Sequence, residues 1–186
     1  MLYLVLFTLW IDVALAQCNL NSPVPIPPES NQSLAIAVSN LTNSELGVNQ
    51  NICAIFVELE HGRLENLRFI LTSPSGQSVT LVGPGTTTGA FTSIINWNVS
   101  FLPCTSPVAP DAGISNIWSN DEPWAAFTNY TGSYYPQQGC LDEFTGTANG
   151  EWTLELINLG ANEGNLIYFE ILFCIPTGLE LSLIHI

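Results

Sequence analysis

Basic side chains are nearly absent from this sequence of 186 residues. Lysine and arginine together number 2 against 16 aspartates and glutamates, which gives a formal net charge of −14 at pH 7. Proteins bind nucleic acids mainly through basic side chains that neutralise phosphates, so this composition excludes nucleic acid as a partner. It also disfavours binding to anionic lipid headgroups.

Histidine is scarce as well, since His61 and His185 are the only two in the chain. Nucleophilic catalysis usually pairs a serine or cysteine with a histidine base. No histidine pair lies near a cysteine, so a zinc site is not expected either. We therefore predict no catalytic residues and expect that the protein is not an enzyme.

An apolar stretch opens the sequence. Residues 1–16 end in the small-x-small triplet Ala14-Leu15-Ala16, which is typical of a signal-peptide cleavage site. The stretch lacks a leading basic residue and contains Asp12, but it is shorter than the roughly 20 residues that span a bilayer. We interpret it as a signal peptide rather than a membrane anchor. This predicts a secreted or cell-surface protein without membrane insertion.

Short strands account for much of the remaining chain. Apolar and polar residues alternate in residues 53–60, 66–72 and 165–174, and shorter alternations surround Val79 and Trp152. Period-two alternation is typical of half-buried strands, and the Pro- and Gly-rich segments between them are typical of turns. Because no window has a helical stripe, the pattern predicts an all-β domain. The simplest closure is a two-sheet antiparallel β-sandwich or a jelly roll.

The sequence divides into four segments. Residues 1–16 form the signal peptide, and residues 17–33 form a Pro-rich lead-in strand or linker that should run extended along the surface. Residues 34–176 form the sandwich, whose middle has a weaker pattern and should contain short strands of its own. Residues 177–186 are interpreted as a truncated linker or an artefactual tail.

Five cysteines remain to be paired, and export would permit disulfides. Spacing alone does not choose among the arrangements that five cysteines allow. By position, Cys18 and Cys174 bracket the domain, and Cys104 and Cys140 bracket its irregular middle. We predict these two disulfides, and we predict that Cys53, in an apolar strand, is a buried free thiol.

Two groups of motifs carry a resemblance to a known family. The first group is Asn51-Ile52-Cys53-Ala54-Ile55, Glu60-His61, Leu71-Thr72-Ser73-Pro74-Ser75-Gly76 and Val79-Thr80-Leu81. The second is Gly132-Ser133-Tyr134-Tyr135-Pro136, Phe144-Thr145-Gly146, Gly150-Glu151-Trp152-Thr153-Leu154 and Gly164-Asn165-Leu166. Together they resemble the P domain (P/Homo B module) that follows the catalytic domain of subtilisin-like proprotein convertases, and most closely its bacterial branch. The resemblance covers about residues 18–174 and implies a jelly-roll-like sandwich of about eight strands, similar to galactose-binding domains.

The resemblance also implies a place for calcium at one edge of the sandwich. Family members carry acidic residues there, and the matching positions are Asn66, Asn158 and Asn162, with Glu65 and Glu163 beside them. Asparagine offers Ca²⁺ only a neutral oxygen, and calcium affinity rises with ligand charge. Two alternatives follow: a weakened Ca²⁺ site formed by these residues, or a polar turn cluster hydrogen-bonded to its own backbone. No other cofactor is expected.

Aromatic residues of the middle segment suggest a second kind of function. Exposed rings can stack on the apolar face of a sugar, and the candidates are Trp118, Trp124, Tyr130 and Tyr135. The alternative is that these rings pack in the core and under loops.

The resemblance implies a non-catalytic module. We expect it to stabilise, space or dock neighbouring domains of a larger extracellular protein, including one with a subtilisin-like serine endopeptidase domain. The alternative is a polysaccharide-binding or adhesion module that uses exposed aromatics of residues 97–135 on a polysaccharide or cell-surface ligand. Regulation of an attached subtilisin-like protease is a third hypothesis.

Overall fold

The structure, a computed structural model, describes residues 19–20, 23–63, 66–83, 95–106 and 129–175. These residues form eleven strands and one 3₁₀ turn at Leu141–Glu143. The strands are β1 (Val24–Ile26), β2 (Ser30–Val38), β3 (Glu45–Leu46), β4 (Asn51–His61), β5 (Leu67–Thr72), β6 (Ser78–Val82), β7 (Ile95–Phe101), β8 (Asn129–Tyr134), β9 (Gly146–Thr147), β10 (Gly150–Asn158) and β11 (Gly164–Cys174). The expectation of an all-β fold is confirmed, with more strands than predicted.

Two larger sheets form a sandwich-like arrangement. One has the strand order β1-β11-β4-β7-β8, the other has the order β2-β10-β5-β6, and β3 pairs with β9 in a small ribbon. Neighbouring strands are antiparallel except for β7 and β8, which are parallel. The predicted antiparallel sandwich is therefore found with one parallel pair at the edge of the larger sheet.

Three connections between the sheets stack at one end of the sandwich. They lead from β1 to β2, from β4 to β5 and from β10 to β11. Because β11 pairs with β1 and β4 while β10 pairs with β2 and β5, the three connections lie side by side. We call this end, formed by residues 27–29, 62–63, 66 and 159–163, the corner end. The opposite end, where Cys174 pairs with Asn51, is the open end.

Large apolar side chains from both sheets fill the space between them. Trp97 and Phe101 of β7, Phe69 of β5, Trp152 of β10 and Phe169 of β11 are all fully buried. Removing such a side chain from water stabilises the fold by about 1.5–3 kcal/mol. The alternating burial along β5 and β10 is what the period-two sequence pattern predicted.

Two β-bulges shift the register between β4 and β11. Leu166 pairs with Leu59, but the next pair is Tyr168 with Glu58, which leaves Ile167 as an extra residue. Near the open end a second shift leaves Cys53 as the extra residue of β4. Each bulge exchanges the two faces of its strand. Leu166 is therefore buried while Ile167 is only half-buried, although the sequence phase had predicted Ile167 on the core face.

The predicted strands at 53–60, 66–72 and 165–174 are found as β4, β5 and β11. The lead-in predicted for residues 17–33 contributes β1 and the start of β2, so the sandwich begins before residue 34. Pro25 fits in β1 because this strand lies at a sheet edge, where a missing N–H is tolerated. The predicted signal peptide and residues 177–186 lie outside the described residues.

The two disulfides join Cys53 to Cys174 and Cys104 to Cys140. The Cys104–Cys140 prediction is confirmed. The predictions of a Cys18–Cys174 disulfide and of a free thiol at Cys53 are wrong, because Cys174 is bonded to Cys53. The bulge at Cys53 is the physical reason: Ile52 and Ile55 on either side are buried, whereas Cys53 is half-buried, with its Cα 5.8 Å from that of Cys174.

Two disulfides indicate folding in an oxidising, non-cytoplasmic environment. Within the described ranges, the structure contains no helix that is long and apolar enough to cross a membrane.

Candidate functional site

The corner end brings together the residues that the sequence singled out for calcium. Backbone hydrogen bonds link its three connections: Glu29 N–H donates to the Gly160 carbonyl at 2.9 Å, and Leu159 N–H donates to the Asn66 carbonyl at 2.8 Å. Asn66, Asn158, Asn162 and Glu163 thus lie in adjacent connections or at their ends. Glu65 lies outside the described residues.

Asn158 is the residue that holds the corner end together. Its side chain is buried, and Nδ2 donates to the Pro27 carbonyl at 2.9 Å and to the Asn162 carbonyl at 2.6 Å. Its Oδ1 accepts the Gly160 N–H at 3.0 Å. One amide group therefore bonds to backbone groups from two different connections and links them.

The side chains of Asn66 and Asn162 each lie against a glycine of the corner end. A Cβ added to Gly160 would collide with the Asn66 side chain, and one added to Gly62 would lie 3.3 Å from the Asn162 Nδ2. Asn66 is half-buried, whereas Asn162 and Glu163 are exposed. The three asparagines therefore pack on backbone rather than converge on one point.

Among the described residues, this set offers calcium few charged ligands. Ca²⁺ takes six to eight oxygen ligands, with carboxylates supplying most of the affinity. The Asn158 amide is committed to the backbone, and Glu163 is the only acidic side chain of the predicted set within the described residues. No group of three or more His, Cys, Asp or Glu side chains that could hold a metal occurs in the described part of the chain. The polar turn cluster is the alternative that this geometry supports.

His61, at the end of β4, is a buried polar residue of the corner end that the sequence did not mark as functional. It is 1% exposed, and its Nδ1 accepts the Arg63 N–H at 3.0 Å. Because Nδ1 is the acceptor, the neutral ring carries its proton on Nε2, which has no hydrogen-bond partner among the described residues. Burial lowers the pKa of the His61 imidazole and outweighs the backbone at Arg63 and at Asn162, which acts in the opposite direction.

A groove of about 330 Å³ runs beside the corner end along the proline-rich start of the domain. The segment Pro25–Pro28 forms one side, and Glu60, Glu163 and Asn165 contribute to the lining. Two carboxylates beside a proline-rich segment do not by themselves define a ligand, so we assign no function to this groove.

Exposed apolar residues concentrate at the open end. Among the described residues, four large apolar side chains are exposed: Val48 (71%), Ile175 (70%), Leu159 (60%) and Leu172 (42%). Val48 precedes β4, which begins at Asn51, the partner of Cys174, while Leu172 and Ile175 flank Cys174 itself. Only Leu159 lies at the corner end. The sequence signal for this cluster was weak, because an isolated exposed leucine or valine cannot be distinguished from a core residue without the register.

Of the four predicted sugar-stacking residues, only Tyr135 has a described side chain. Trp118 and Trp124 lie outside the described residues, and Tyr130 belongs to β8 without a described side chain. Tyr135, the residue after β8, is half-buried. An aromatic binding surface in this segment therefore stays a prediction.

Comparison with known proteins adds no identity, since no protein-family model and no curated protein matches this chain.

Proposed function

We propose that the chain is a secreted, non-catalytic module of the P-domain type that docks against neighbouring domains of a larger extracellular protein. The observation that supports this is the position of the two ends of the described body. Asn19 pairs with Glu170 at the edge of β11, and Leu20 N–H donates to the Phe169 carbonyl at 3.1 Å. The other end, Ile175, follows directly on the same strand.

The two ends are therefore close together. Glu170 and Ile175 are five residues apart in an extended chain, which corresponds to about 17 Å at roughly 3.3 Å per residue. When the chain enters and leaves a module at the same edge, the module lies to one side of the neighbouring domains and does not hold them apart. This geometry favours docking over spacing among the roles that the sequence suggested.

The exposed apolar residues of the open end provide a surface for such docking. Leu172 and Ile175 lie at this edge, and apolar side chains are the usual core of an interface between domains. The resemblance to P domains suggests a subtilisin-like endopeptidase domain as the neighbour. The two disulfides agree with an extracellular location.

The test uses the product of the complete gene, purified from the secreted fraction. We expect the double variant Leu172→Ser/Ile175→Ser to separate the thermal unfolding of this module from that of its neighbour, because it removes the apolar contact. The matched control is Leu159→Ser, which changes another exposed leucine at the corner end. A secreted product without any further domain, or unfolding that the double variant leaves unchanged, would overturn the proposal.

A further inference from the structure

A groove of about 580 Å³ crosses the outer face of the four-stranded sheet. Its floor is formed by Ile70 and Thr72 of β5, Ser78 and Thr80 of β6, and Glu155 of β10. Its volume falls within the range of about 300–1,000 Å³ that is typical of small-molecule sites. We call it the hydroxyl groove because three of these five side chains are hydroxyls.

The strand register arranges this floor in two rows. Glu155 pairs with Ile70, and Ile70 pairs with Thr80, which places a carboxylate, an apolar side chain and a hydroxyl next to one another across three strands. In the next row Thr72 pairs with Ser78, and their hydroxyl oxygens are 2.8 Å apart. Neighbouring strands lie about 4.8 Å apart. The floor is therefore an apolar centre surrounded by groups that can donate or accept hydrogen bonds.

The wall of the hydroxyl groove is the segment Gln138–Glu143. Two backbone hydrogen bonds fix it to β6: Thr80 N–H donates to the Gln138 carbonyl at 3.0 Å, and Gln138 N–H donates to the Thr80 carbonyl at 3.1 Å. The Cys104–Cys140 disulfide holds its middle, and the Glu143 carboxylate accepts the Cys140 N–H at 3.2 Å.

A side chain from the turn between β5 and β6 also supports this wall. Gln77 Nε2 donates to the Glu143 carbonyl at 3.3 Å and to Thr145 Oγ1 at 3.0 Å, while its Oε1 accepts the Thr145 N–H at 2.6 Å. The wall is thus fixed to the sheet at several points before any ligand arrives. Such preorganisation lowers the entropic cost of binding.

The charges of the hydroxyl groove select the class of ligand. Glu143 and Glu155 line it, whereas neither of the chain's two arginines does, so an anionic ligand would be repelled. Glu155 lies on β10 and Glu143 lies on the wall beyond β6, at least two strand spacings away, or about 10 Å. Two carboxylates on different elements are few ligands for a metal ion, and no group of three or more His, Cys, Asp or Glu side chains that could hold one occurs among the described residues.

We propose that the hydroxyl groove binds a neutral saccharide unit. Carboxylates accept hydrogen bonds from sugar hydroxyls, the Thr and Ser hydroxyls both donate and accept, and Ile70 provides an apolar surface for the C–H face of the ring. This proposal uses none of the aromatic residues predicted to stack on sugars and does not depend on the docking proposal. Because none of the described lining residues is aromatic, the expected dissociation constant for one sugar unit is about 1–10 mM.

The experiment is a titration of the isotope-labelled secreted protein, followed by backbone amide NMR at pH 7. The probes are the methyl glycosides of glucose, galactose and mannose and free N-acetylglucosamine, with glucuronate as the anionic probe and butylammonium as the cationic probe. We expect at least one neutral sugar to give saturable shifts confined to residues 70–80, 138–143 and 155. Glucuronate should bind at least fivefold more weakly.

Matched variants separate the groove from the rest of the sheet. Thr72→Val and Glu155→Gln should each weaken binding fivefold or more, because each removes a polar partner of the sugar. Thr153→Val and Glu151→Gln change the same residue types on β10 outside the groove and should leave the dissociation constant within twofold. The absence of saturable shifts up to about 50 mM, several times the expected dissociation constant, would overturn the proposal. A dissociation constant for sugar that Thr72→Val and Glu155→Gln leave unchanged would also overturn it. Tighter binding of butylammonium than of any sugar would do the same.

Discussion

Cys53 is the extra residue of a β-bulge in β4, and its sulfur is bonded to Cys174 on the neighbouring strand. The bond fixes the register of the two longest strands at the end where the bulge would otherwise allow them to shift. It also joins residues separated by 121 positions, and thereby links the early and late parts of the chain across the larger sheet.

Loss of this disulfide should destabilise the protein more than loss of the other one. In the chain-entropy description, a cross-link over 121 residues contributes about 5 kcal/mol, compared with about 4 kcal/mol for the 36 residues between Cys104 and Cys140. We expect Cys53→Ala/Cys174→Ala to lower the free energy of unfolding in urea by several kcal/mol. Mapping of disulfide-linked peptides provides the control, and a peptide that joins Cys18 to Cys174 would contradict the assignment.

This pairing shows where sequence reasoning reached its limit. Period-two alternation located β4, β5 and β11, because each strand buries one face. A bulge adds one residue without changing composition, so nothing in the spacing revealed that Cys53 would leave the core face. The same holds for Ile167, which the pattern placed in the core in phase with Phe169, whereas Leu166 is the buried residue.

The corner end was predictable in position but not in its chemistry. The resemblance placed Asn66, Asn158 and Asn162 at one edge, and the stacked connections confirm that these positions lie together. Which oxygen or nitrogen the Asn158 amide offers depends on backbone groups from the β1–β2 and β10–β11 connections, far apart in sequence. The hydroxyl groove had no sequence signal at all, since Thr and Ser on an outer sheet face are ordinary surface residues.

Replacement of Asn158 should be strongly destabilising. Asn158→Ala removes three hydrogen bonds made by a buried side chain, so we expect a cost of about 2–4 kcal/mol in the free energy of unfolding. Asn162→Ala is the matched control, because only the backbone of Asn162 takes part in these bonds and its side chain is exposed. It should cost less than about 0.5 kcal/mol. Equal effects of the two variants would contradict the role given to Asn158.

Removal of calcium should leave the thermal stability of the protein unchanged. A ligand that binds only the folded state raises Tm by an amount that grows with the logarithm of its concentration above the dissociation constant, and the Asn158 amide is already hydrogen-bonded to the backbone. We therefore expect the Tm in about 5 mM CaCl₂ and in EDTA to agree within about 1 °C. A rise of several degrees in calcium that Glu163→Gln abolishes would show that the corner end does bind the ion.

The stability of the protein should decrease in mild acid because of His61. Burial lowers the pKa of this imidazole in the folded state, whereas an unfolded histidine has a pKa of about 6.5. As the pH falls below about 6.5, the unfolded state therefore takes up a proton before the folded state does, and the free energy of unfolding decreases. Above that pH both states are neutral and the stabilising contribution is complete. One proton accounts for a slope of at most about 1.4 kcal/mol per pH unit.

Urea unfolding between pH 7.5 and 5.5 measures this slope before most carboxylates titrate. The informative variant is His61→Asn, since the Asn Oδ1 can replace Nδ1 as the acceptor of the Arg63 N–H while removing the titration. We expect the variant to be less stable than the wild type at pH 7.5 but to lose less stability on acidification. A wild-type slope that persists unchanged in His61→Asn would assign the acid sensitivity to another group and contradict the buried neutral imidazole.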